Sequence, residues 1–244
     1  MNVLILAAGL SDPDPEQGNY PSLLTEEHGG LLLERLVQSC ADLPQALMIF
    51  ALREEDIRRH HLDKVLQLVS PGAVALRVHG STAGAACTAL LAVDHLDRED
   101  ELLILNGNEI VDADFAAVTA DFRNRGLDAG AIIFPSIHPR YSYLRLDEAE
   151  LVTEAAEKSP ISRNATAGFY WYRKAGDFVS AAESMVRKGD AVGGSFYICP
   201  AFNQMVLAQK RVGVHRIAAS QYRPVKSRRQ REMVEAFESG RLMT

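Results

Sequence analysis

Short apolar runs alternate with amphipathic segments along the first half of the chain. The apolar runs predict strands over residues 3–7, 46–51, 73–78, 101–105 and 129–134. Between them, apolar positions recur at helical spacing and predict helices over 31–40, 54–69, 83–94 and 113–124. Short buried strands that alternate with helices are typical of a sheet covered on both faces. The pattern therefore predicts an α/β fold with a three-layer, Rossmann-like, mostly parallel mixed sheet flanked by helices.

The second half of the chain changes character near residue 135. It predicts a hairpin over 142–147 and 151–156, an aromatic strand over 166–172, helices over 176–188 and 200–209, a strand over 212–217 and a last helix over 228–238. No internal repeat or low-complexity linker separates the halves. We therefore expect a single domain over residues 1–244.

The composition narrows the class of protein. Of the 244 residues, 47% are hydrophobic and 24% are charged, which is ordinary for a globular protein. A net charge of −6 argues against nucleic acid as a partner. Because no apolar stretch approaches the roughly 20 residues that span a bilayer, we expect no membrane insertion. The three cysteines are far apart in sequence, which favours free thiols and a cytoplasmic location.

The first candidate site follows the strand at 3–7. Ala7, Ala8 and Gly9 form a small-residue turn, and such turns let backbone N–H groups approach nucleotide phosphates closely. The next residues are acidic rather than basic, since residues 10–16 read LSDPDPE. Carboxylates repel a triphosphate, so this segment is either a phosphate loop of unusual charge or a surface loop. Ligands of parallel sheets bind at the carboxyl ends of strands, which places 8–22, 79–84 and 106–112 along one rim.

Small residues also open the helix after the strand at 73–78. Thr82, Gly84 and Ala85 lie where a base or a ribose could pack on the backbone. Free N–H groups at the helix start would favour an anion. Tight packing of the helix on the sheet explains the same residues equally well.

A polar cluster follows the strand at 101–105. Gly107, Asn108 and Glu109 lie at a carboxyl strand end, where an acidic metal ligand is expected. Asn108 offers only a neutral carbonyl oxygen, so Glu109 and Asp112 are the candidate metal ligands, and no metal site is assigned with certainty.

The fourth cluster lies in the second half of the chain. Glu157 and Lys158 precede Asn164 and Gly168. An acid, a base and an amide around a glycine could hold sugar hydroxyls and a phosphate. The alternative is a solvated turn with an incidental salt bridge.

In this order the four blocks resemble those of the sugar-phosphate nucleotidyltransferases, whose fold is shared with GT-A glycosyltransferases. The stretches 136–143, 156–170 and 194–200 are similar to the branch found in bacterial capsule and surface-polysaccharide gene clusters. The resemblance implies transfer of a nucleotidyl group from a nucleoside triphosphate to a sugar 1-phosphate, with Mg²⁺ as cofactor if the protein is active. It assigns residues 1–135 to the nucleotide and 136–244 to the sugar or acceptor. The implied nucleotide-binding residues are Ala7, Ala8, Gly9, Thr82, Gly84 and Ala85, and the implied substrate-binding residues are Gly107, Asn108, Glu157, Lys158, Asn164 and Gly168.

Three charged positions of the family pattern are different in this chain. The arginine of the first loop is absent around residues 11 and 12, the lysine of a Pro-Lys pair is Ser22, and the aspartate of a Gly-Asp pair is Asn108. The catalytic residue therefore stays unknown, with Lys158 and Glu109 as candidates.

Three hypotheses remain open. The chain is a divergent active nucleotidyltransferase, in which Glu109 or Asp112 recovers the metal and Lys158, Arg140 or Arg163 supplies positive charge. Alternatively it is a catalytically silent relative that binds a nucleotide or sugar phosphate, as a homo-oligomer or beside an active paralogue. A third reading is a GT-A-like glycosyltransferase in which residues 112–114, of sequence DAD, bind the metal; the same aspartates could equally cap the next helix.

Overall fold

The computed structural model describes residues 1–9, 20–27 and 29–225. The acidic residues at positions 12, 14 and 16 and the helix predicted over 228–238 lie outside the described residues. The strands are β1 Asn2–Leu6, β2 Glu26–Glu27, β3 Gly30–Leu31, β4 Leu47–Arg53, β5 Val74–Val78, β6 Leu102–Asn106, β7 Glu109–Val111, β8 Ala129–Pro135, β9 Ser142–Leu146, β10 Val152–Glu157, β11 Asn164–Tyr172, β12 Val212–Arg216 and β13 Tyr222–Pro224. The helices are α1 Leu32–Ser39, α2 Glu54–His60, α3 Leu62–Val69, α4 Ala85–Leu90, α5 Phe115–Asn124, α6 Ala175–Lys188 and α7 Ala201–Leu207.

The predicted α/β class is confirmed, and the sheet is mixed. Its strands run in the order β10-β9-β11-β6-β1-β4-β5, while β8 pairs with β11 and β12. The part β6-β1-β4-β5 is parallel, as is the β8–β12 pair. Strand β11 runs antiparallel to both β6 and β8. The carboxyl ends of β1 and β6 therefore open on the same edge, as expected for a ligand site.

Two apolar clusters pack on opposite faces of the sheet and make three layers. Val3 and Ile5 of β1 point to one face with Trp171, while Leu4 points to the other. Successive residues of a strand alternate between its two faces. All of these side chains are fully buried, because both faces of the sheet are covered. A strand buried on both faces reads as a continuous apolar run, which is why the sequence pattern found it.

Among the described residues, no helix is long and apolar enough to cross a bilayer.

Two predicted helices differ from the structure. The helix over 54–69 is divided into α2 and α3 because His61 adopts a left-handed conformation with φ 50°. The helix over 83–94 is reduced to α4, followed by a 3-10 turn at Val93–His95. The short strands β2, β3, β7 and β13 were not predicted.

Strand β11 bends in its middle. Between Thr166 and Tyr170 the register with β8 shifts, so that four steps along β11 match two steps along β8. Gly168 lies in this bulge with φ +65°, a conformation that glycine adopts at little cost. On one side, β11 then pairs with β9 before the bulge and with β6 after it. The bend places Gly168 at the floor of the cleft described next.

Candidate functional site

A cleft of about 490 Å³ opens at the carboxyl ends of β1 and β6 and is closed on the far side by β9, β10 and β11. Most residues predicted for a site line it. They are Ala7, Ala8, Gly9, Thr82, Gly84, Ala85, Gly107, Asn108, Glu109, Glu157, Lys158 and Gly168. The fold thus brings all four sequence blocks to one cavity of a size typical for small-molecule sites.

Backbone rather than side chains forms the cleft wall next to β1. The N–H of Gly107 donates to the carbonyl of Leu6 at 2.9 Å. A Cβ atom on Gly107 would lie 2.8 Å from that carbonyl oxygen and 2.9 Å from the Cβ of Ala7. The turns after β1 and β6 therefore touch, and this close approach requires glycine at position 107.

The start of α4 is occupied by another segment of the chain. Gly84 has φ +113°, and a Cβ atom there would lie 2.5 Å from the carbonyl oxygen of Phe196. That same oxygen accepts from the N–H of Ala86 at 2.9 Å, and the N–H of Phe196 donates to Ala83 at 2.7 Å. We expected the N–H groups at the start of this helix to be free to bind an anion. For Ala86 that expectation is wrong, because its N–H group is bonded to Phe196. Gly84 lines the cleft but makes room for Phe196.

Glu109 lies under the bend of β11. Its Oε2 atom is buried and has no hydrogen-bond partner among the described residues. A Cβ atom on Gly168 would lie 1.9 Å from it. Burial raises the pKa of Glu109 to about 7, while hydrogen bonds from Asn106 and Tyr222 and the charge of Arg140 oppose this rise. The carboxylate is a buried group whose charged form is only weakly stabilised.

Glu157, the last residue of β10, lies on the wall of the cleft opposite β1 and is 8% exposed. The hydroxyl of Ser142 donates to its Oε2 atom. Burial raises the pKa of Glu157, and the Ser142 hydrogen bond and the neighbouring Lys158 charge act against that rise. Its carboxylate can accept hydrogen bonds from ligand hydroxyls, and Ser142 holds its orientation.

Lys158 carries an exposed ammonium group at the end of β10. Its Nζ atom donates to the hydroxyl of Tyr197 at 2.7 Å, and its N–H donates to the carbonyl of Tyr141 at 3.0 Å. Nζ lies 4.9 Å from the Tyr197 ring centroid, which together with the hydrogen bond places it at the hydroxyl edge of the ring. The Tyr197 hydrogen bond raises the pKa of Lys158. The group is therefore a stable cation.

Arg140 and Tyr141 complete this side of the cleft. The guanidinium of Arg140 lies 5.1 Å from the centroid of the Tyr141 ring. Tyr141 in turn packs edge-on against Phe134 and Tyr222. Among the described lining residues, Lys158 and Arg140 are the cations and Glu109 and Glu157 are the anions.

Four of the candidate residues lie outside the cleft lining. Arg163 is exposed and is not among the lining residues, so it does not supply the positive charge predicted for it. Asn164 is outside the lining; its amide donates to Leu144 at 3.1 Å and accepts from Arg216 at 3.0 Å, which are contacts that hold strands. Asp112 is exposed and its backbone pairs with Gln221. Asp114 caps α5, since its Oδ1 accepts from the N–H of Ala117 at 2.9 Å. The capping alternative is thus the one the geometry supports for the DAD sequence.

The cleft also contains residues to which sequence reasoning gave no role. They include Ser81, Tyr141, Ser142, Thr166, Tyr170 and Tyr197. Tyr197 falls in the stretch 194–200 that supported the family resemblance, so a signal for it was present. Ser142 likewise falls in the stretch 136–143, but its contact with Glu157 had no signal, because only the pairing of β9 with β10 brings the two together.

The residues of the cleft do not fit a Mg²⁺ ion as they stand. Mg²⁺ in nucleotide sites is usually held by one or two carboxylates together with substrate phosphates. The Oε2 atom of Glu109 is covered by Gly168, Glu157 is engaged by Ser142, and Asn108 is neutral. The part of the chain that the structure describes contains no group of three acidic, histidine or cysteine residues arranged to hold a metal.

The fold and this cleft define an α/β protein with a small-molecule cleft at the carboxyl ends of its parallel strands. The family can be stated more closely, since residues 31–195 match the model of the nucleotidyl transferase family. The chain therefore belongs to the nucleotidyl transferases.

Solved structures share this fold. A nucleoside-diphosphate-sugar pyrophosphorylase from Vibrio cholerae RC9 superposes with a TM-score of 0.79 at 22% identity, covering 96% of this chain and 98% of that one. The inositol-1-phosphate CTP transferase from T. maritima gives 0.70 at 13% identity over 93% and 90% of the chains. A UDP-glucose pyrophosphorylase solved with UDP-glucose gives 0.68 at 13% identity over 88% and 89%. No protein with a curated description matches the chain.

Proposed function

We propose that the chain binds a sugar phosphate, free or as part of a nucleotide-sugar, and that it is a poor catalyst of nucleotidyl transfer. The observation that carries this proposal is the uneven distribution of charge in the cleft. Lys158 and Glu157 sit together at one end with their partners Tyr197 and Ser142. The lining residues at the other end, next to β1, include no described cation.

The end around Lys158 suits a sugar phosphate. Its ammonium is a permanent cation that can pair with a phosphate oxygen, which is a charge-assisted hydrogen bond. Glu157 can accept from two sugar hydroxyls, and the hydroxyl pair of Thr166 and Tyr170, 2.8 Å apart, lies in the same lining. Similar proteins are named for nucleotide-sugar chemistry, which supports this ligand class.

The end next to β1 suits a triphosphate poorly. Ser22 lines the cleft at the position where the family pattern has lysine, and Asn108 replaces a metal-binding aspartate. Losing one charge-stabilising group from such a site typically lowers the rate by ~10²–10³. Small residues there still leave room for a base or ribose against the backbone.

We further propose a setting in the cytoplasmic synthesis of surface polysaccharides, where nucleotide-sugars are precursors. The resemblance of stretches 136–143 and 156–170 to that branch of the family supports it. In this setting the chain acts as a ligand-binding or regulatory partner, alone as an oligomer or beside an active paralogue. The described cysteines are free, which agrees with a reducing compartment.

A second candidate is an active, slow nucleotidyltransferase. The observation in its favour is that Arg140 joins Lys158 in the lining, so that two cations are available to phosphates. Detectable pyrophosphate release from a triphosphate and a sugar 1-phosphate would establish this candidate.

Calorimetry with glucose 1-phosphate and UDP-glucose tests the proposed binding function. The variant Lys158→Met should weaken binding of both by at least about tenfold, because it removes a charge-assisted contact. The control Lys64→Met removes an exposed lysine of α3 outside the cleft and should leave affinity unchanged. Equal affinity of wild type and Lys158→Met would overturn the assignment of the phosphate to this end.

A further inference from the structure

A tight turn at residues 192–198 connects the two ends of the cleft. Val192 and Ser195 exchange two backbone hydrogen bonds at 2.9 and 3.1 Å around Gly193 and Gly194. Both glycines have positive φ, of 58° and 79°, so the turn is closed and short. Ile198 at its end and Cys199 beyond it are buried in the core. We call residues 192–198 the bridging turn.

The bridging turn is fixed to the nucleotide end by Phe196. Its N–H and its carbonyl oxygen bond to Ala83 and Ala86, on either side of Gly84. Gly84 is the position at which a Cβ atom would lie 2.5 Å from the Phe196 oxygen and 2.6 Å from its nitrogen. An alanine at position 84 must therefore displace Phe196, since both atoms belong to the backbone.

The next residue of the turn reaches the sugar-phosphate end. The Tyr197 hydroxyl accepts from the Lys158 ammonium at 2.7 Å. Lys158 itself has φ +55°, which is uncommon for a residue with a side chain, and its N–H is fixed to Tyr141. The backbone of Lys158 is therefore fixed, and the hydrogen bond to Tyr197 orients its flexible side chain.

We propose that the bridging turn couples the two ends of the cleft, with Tyr197 as a positioning residue that holds the Lys158 ammonium toward the phosphate of the ligand. Displacement of Phe196 at the start of α4 moves Tyr197 and releases Lys158. Conversely, a ligand that draws Lys158 toward itself pulls on a turn attached beside Thr82 and Gly84. The contact of Lys158 with a phosphate rests on the proposed function, whereas the link from Gly84 to Lys158 does not.

Chemical labelling of lysines in the ligand-free protein tests the link. Acetic anhydride reacts with the uncharged amine, and mass spectrometry reports the rate at Lys158 relative to the exposed Lys64 of the same molecule. Since the Tyr197 hydrogen bond raises the pKa of Lys158, Tyr197→Phe should make Lys158 react at least about threefold faster at mildly alkaline pH. Gly84→Ala should do the same although Tyr197 is intact.

The matched control is Gly80→Ala. Gly80 also has positive φ, of 67°, but nothing lies within 4 Å of an added Cβ atom, so the substitution strains the backbone without touching Phe196. It should leave the rate at Lys158 unchanged. An unchanged rate in Tyr197→Phe would refute the positioning role, and an unchanged rate in a folded Gly84→Ala would refute the coupling. Protection of Lys158 by millimolar glucose 1-phosphate is measured separately, and its absence would count against the proposed function alone.

Discussion

Glu109 is a carboxylate in surroundings that disfavour its charge. It is packed against Gly168, with a buried and unpaired Oε2 atom, and its pKa is raised to about 7. The hydrogen bonds from Asn106 and Tyr222 only partly replace the water that hydrates this carboxylate in the unfolded chain, so its charged form lowers the stability of the native state. Residues with such a raised pKa are frequent in functional sites, and this one lies in the cleft lining.

The first prediction concerns pH. The native pKa of Glu109 is above its unfolded value of 4.5, so the native state binds the proton more tightly. The stabilisation is complete below pH ~4.5 and is lost as the pH rises through about 7, by about 3 kcal/mol in all. Glu109→Gln should flatten this fall, leaving the smaller contribution of Glu157, whose pKa is also raised. Urea unfolding at a series of pH values measures the free energy of unfolding of both proteins. An identical dependence of this free energy on pH in wild type and Glu109→Gln would contradict the prediction.

The second prediction concerns Gly168. An alanine there places a Cβ atom 1.9 Å from Glu109 Oε2 in addition to the strain of φ +65°. Gly189→Ala is the matched control, since Gly189 has φ +71° and open space around it. Gly168→Ala should cost roughly 1–3 kcal/mol more than the control in thermal or urea unfolding. Adding Glu109→Ala should recover most of that difference, and a purely additive double variant would contradict the steric account.

At the scale of elements, the pairing of β7 with β13 supports the cleft floor. Tyr222 lies opposite Val111 and stacks on Phe134 with ring centroids 4.3 Å apart. The N–H of Val225 donates to the carbonyl of Asn108 at 2.8 Å. A segment from the end of the described chain thus holds the turn that carries Asn108 and Glu109.

The third prediction follows from this pairing. Tyr222→Ala should destabilise the protein by about 2–4 kcal/mol through loss of a buried aromatic ring. It should also accelerate amide exchange in the peptide that contains Asn108 and Asp112, measured by hydrogen–deuterium exchange. Tyr222→Phe keeps the ring and removes only the hydroxyl that bonds to Glu109, so it separates the effect of the ring from that of the hydrogen bond. Unchanged exchange in Tyr222→Ala would show that β13 does not hold this turn.

Long elements were predictable from the sequence, and short ones were not. The apolar runs of β1, β4, β6 and β8 are buried on both faces, so their composition alone identifies them. Strands β7 and β13 have three residues each and form only because they pair across more than 100 residues of sequence. The division at His61 was also hidden, because the apolar positions that predicted the helix lie in α3 and their spacing does not mark a left-handed residue before it.

At the scale of the whole molecule, the fold collects four separated sequence blocks in one cleft. The meeting of the three blocks at 8–22, 79–84 and 106–112 was predictable, since carboxyl ends of neighbouring parallel strands meet at one edge. The fourth block was not part of this prediction, and β10 and β11 bring it to the cleft. The partners of the charged groups were not predictable, because Ser142, Tyr197 and Gly168 reach Glu157, Lys158 and Glu109 only through tertiary contacts.

The fourth prediction concerns a double variant that adds a cation and a carboxylate at the end of the cleft next to β1. Ser22→Lys combined with Asn108→Asp returns a cation and a metal-binding carboxylate to the cleft lining. Nucleoside triphosphate affinity in the presence of Mg²⁺ should rise by at least about tenfold in calorimetry, because each added contact is charge-assisted. Ser39→Lys, a partly buried position outside this cleft, is the control and should give no gain. No gain in the double variant would show that these positions do not face the triphosphate.

The most direct test of the central claim is a calorimetric titration of the wild-type protein with CTP, UTP, dTTP, ATP and GTP, each with and without Mg²⁺, beside glucose 1-phosphate and UDP-glucose. The uneven charge of the cleft predicts that a sugar phosphate or nucleotide-sugar binds more tightly than any triphosphate. Tight, Mg²⁺-dependent binding of one triphosphate, with weaker binding of the sugar phosphates, would contradict it and would favour the active transferase.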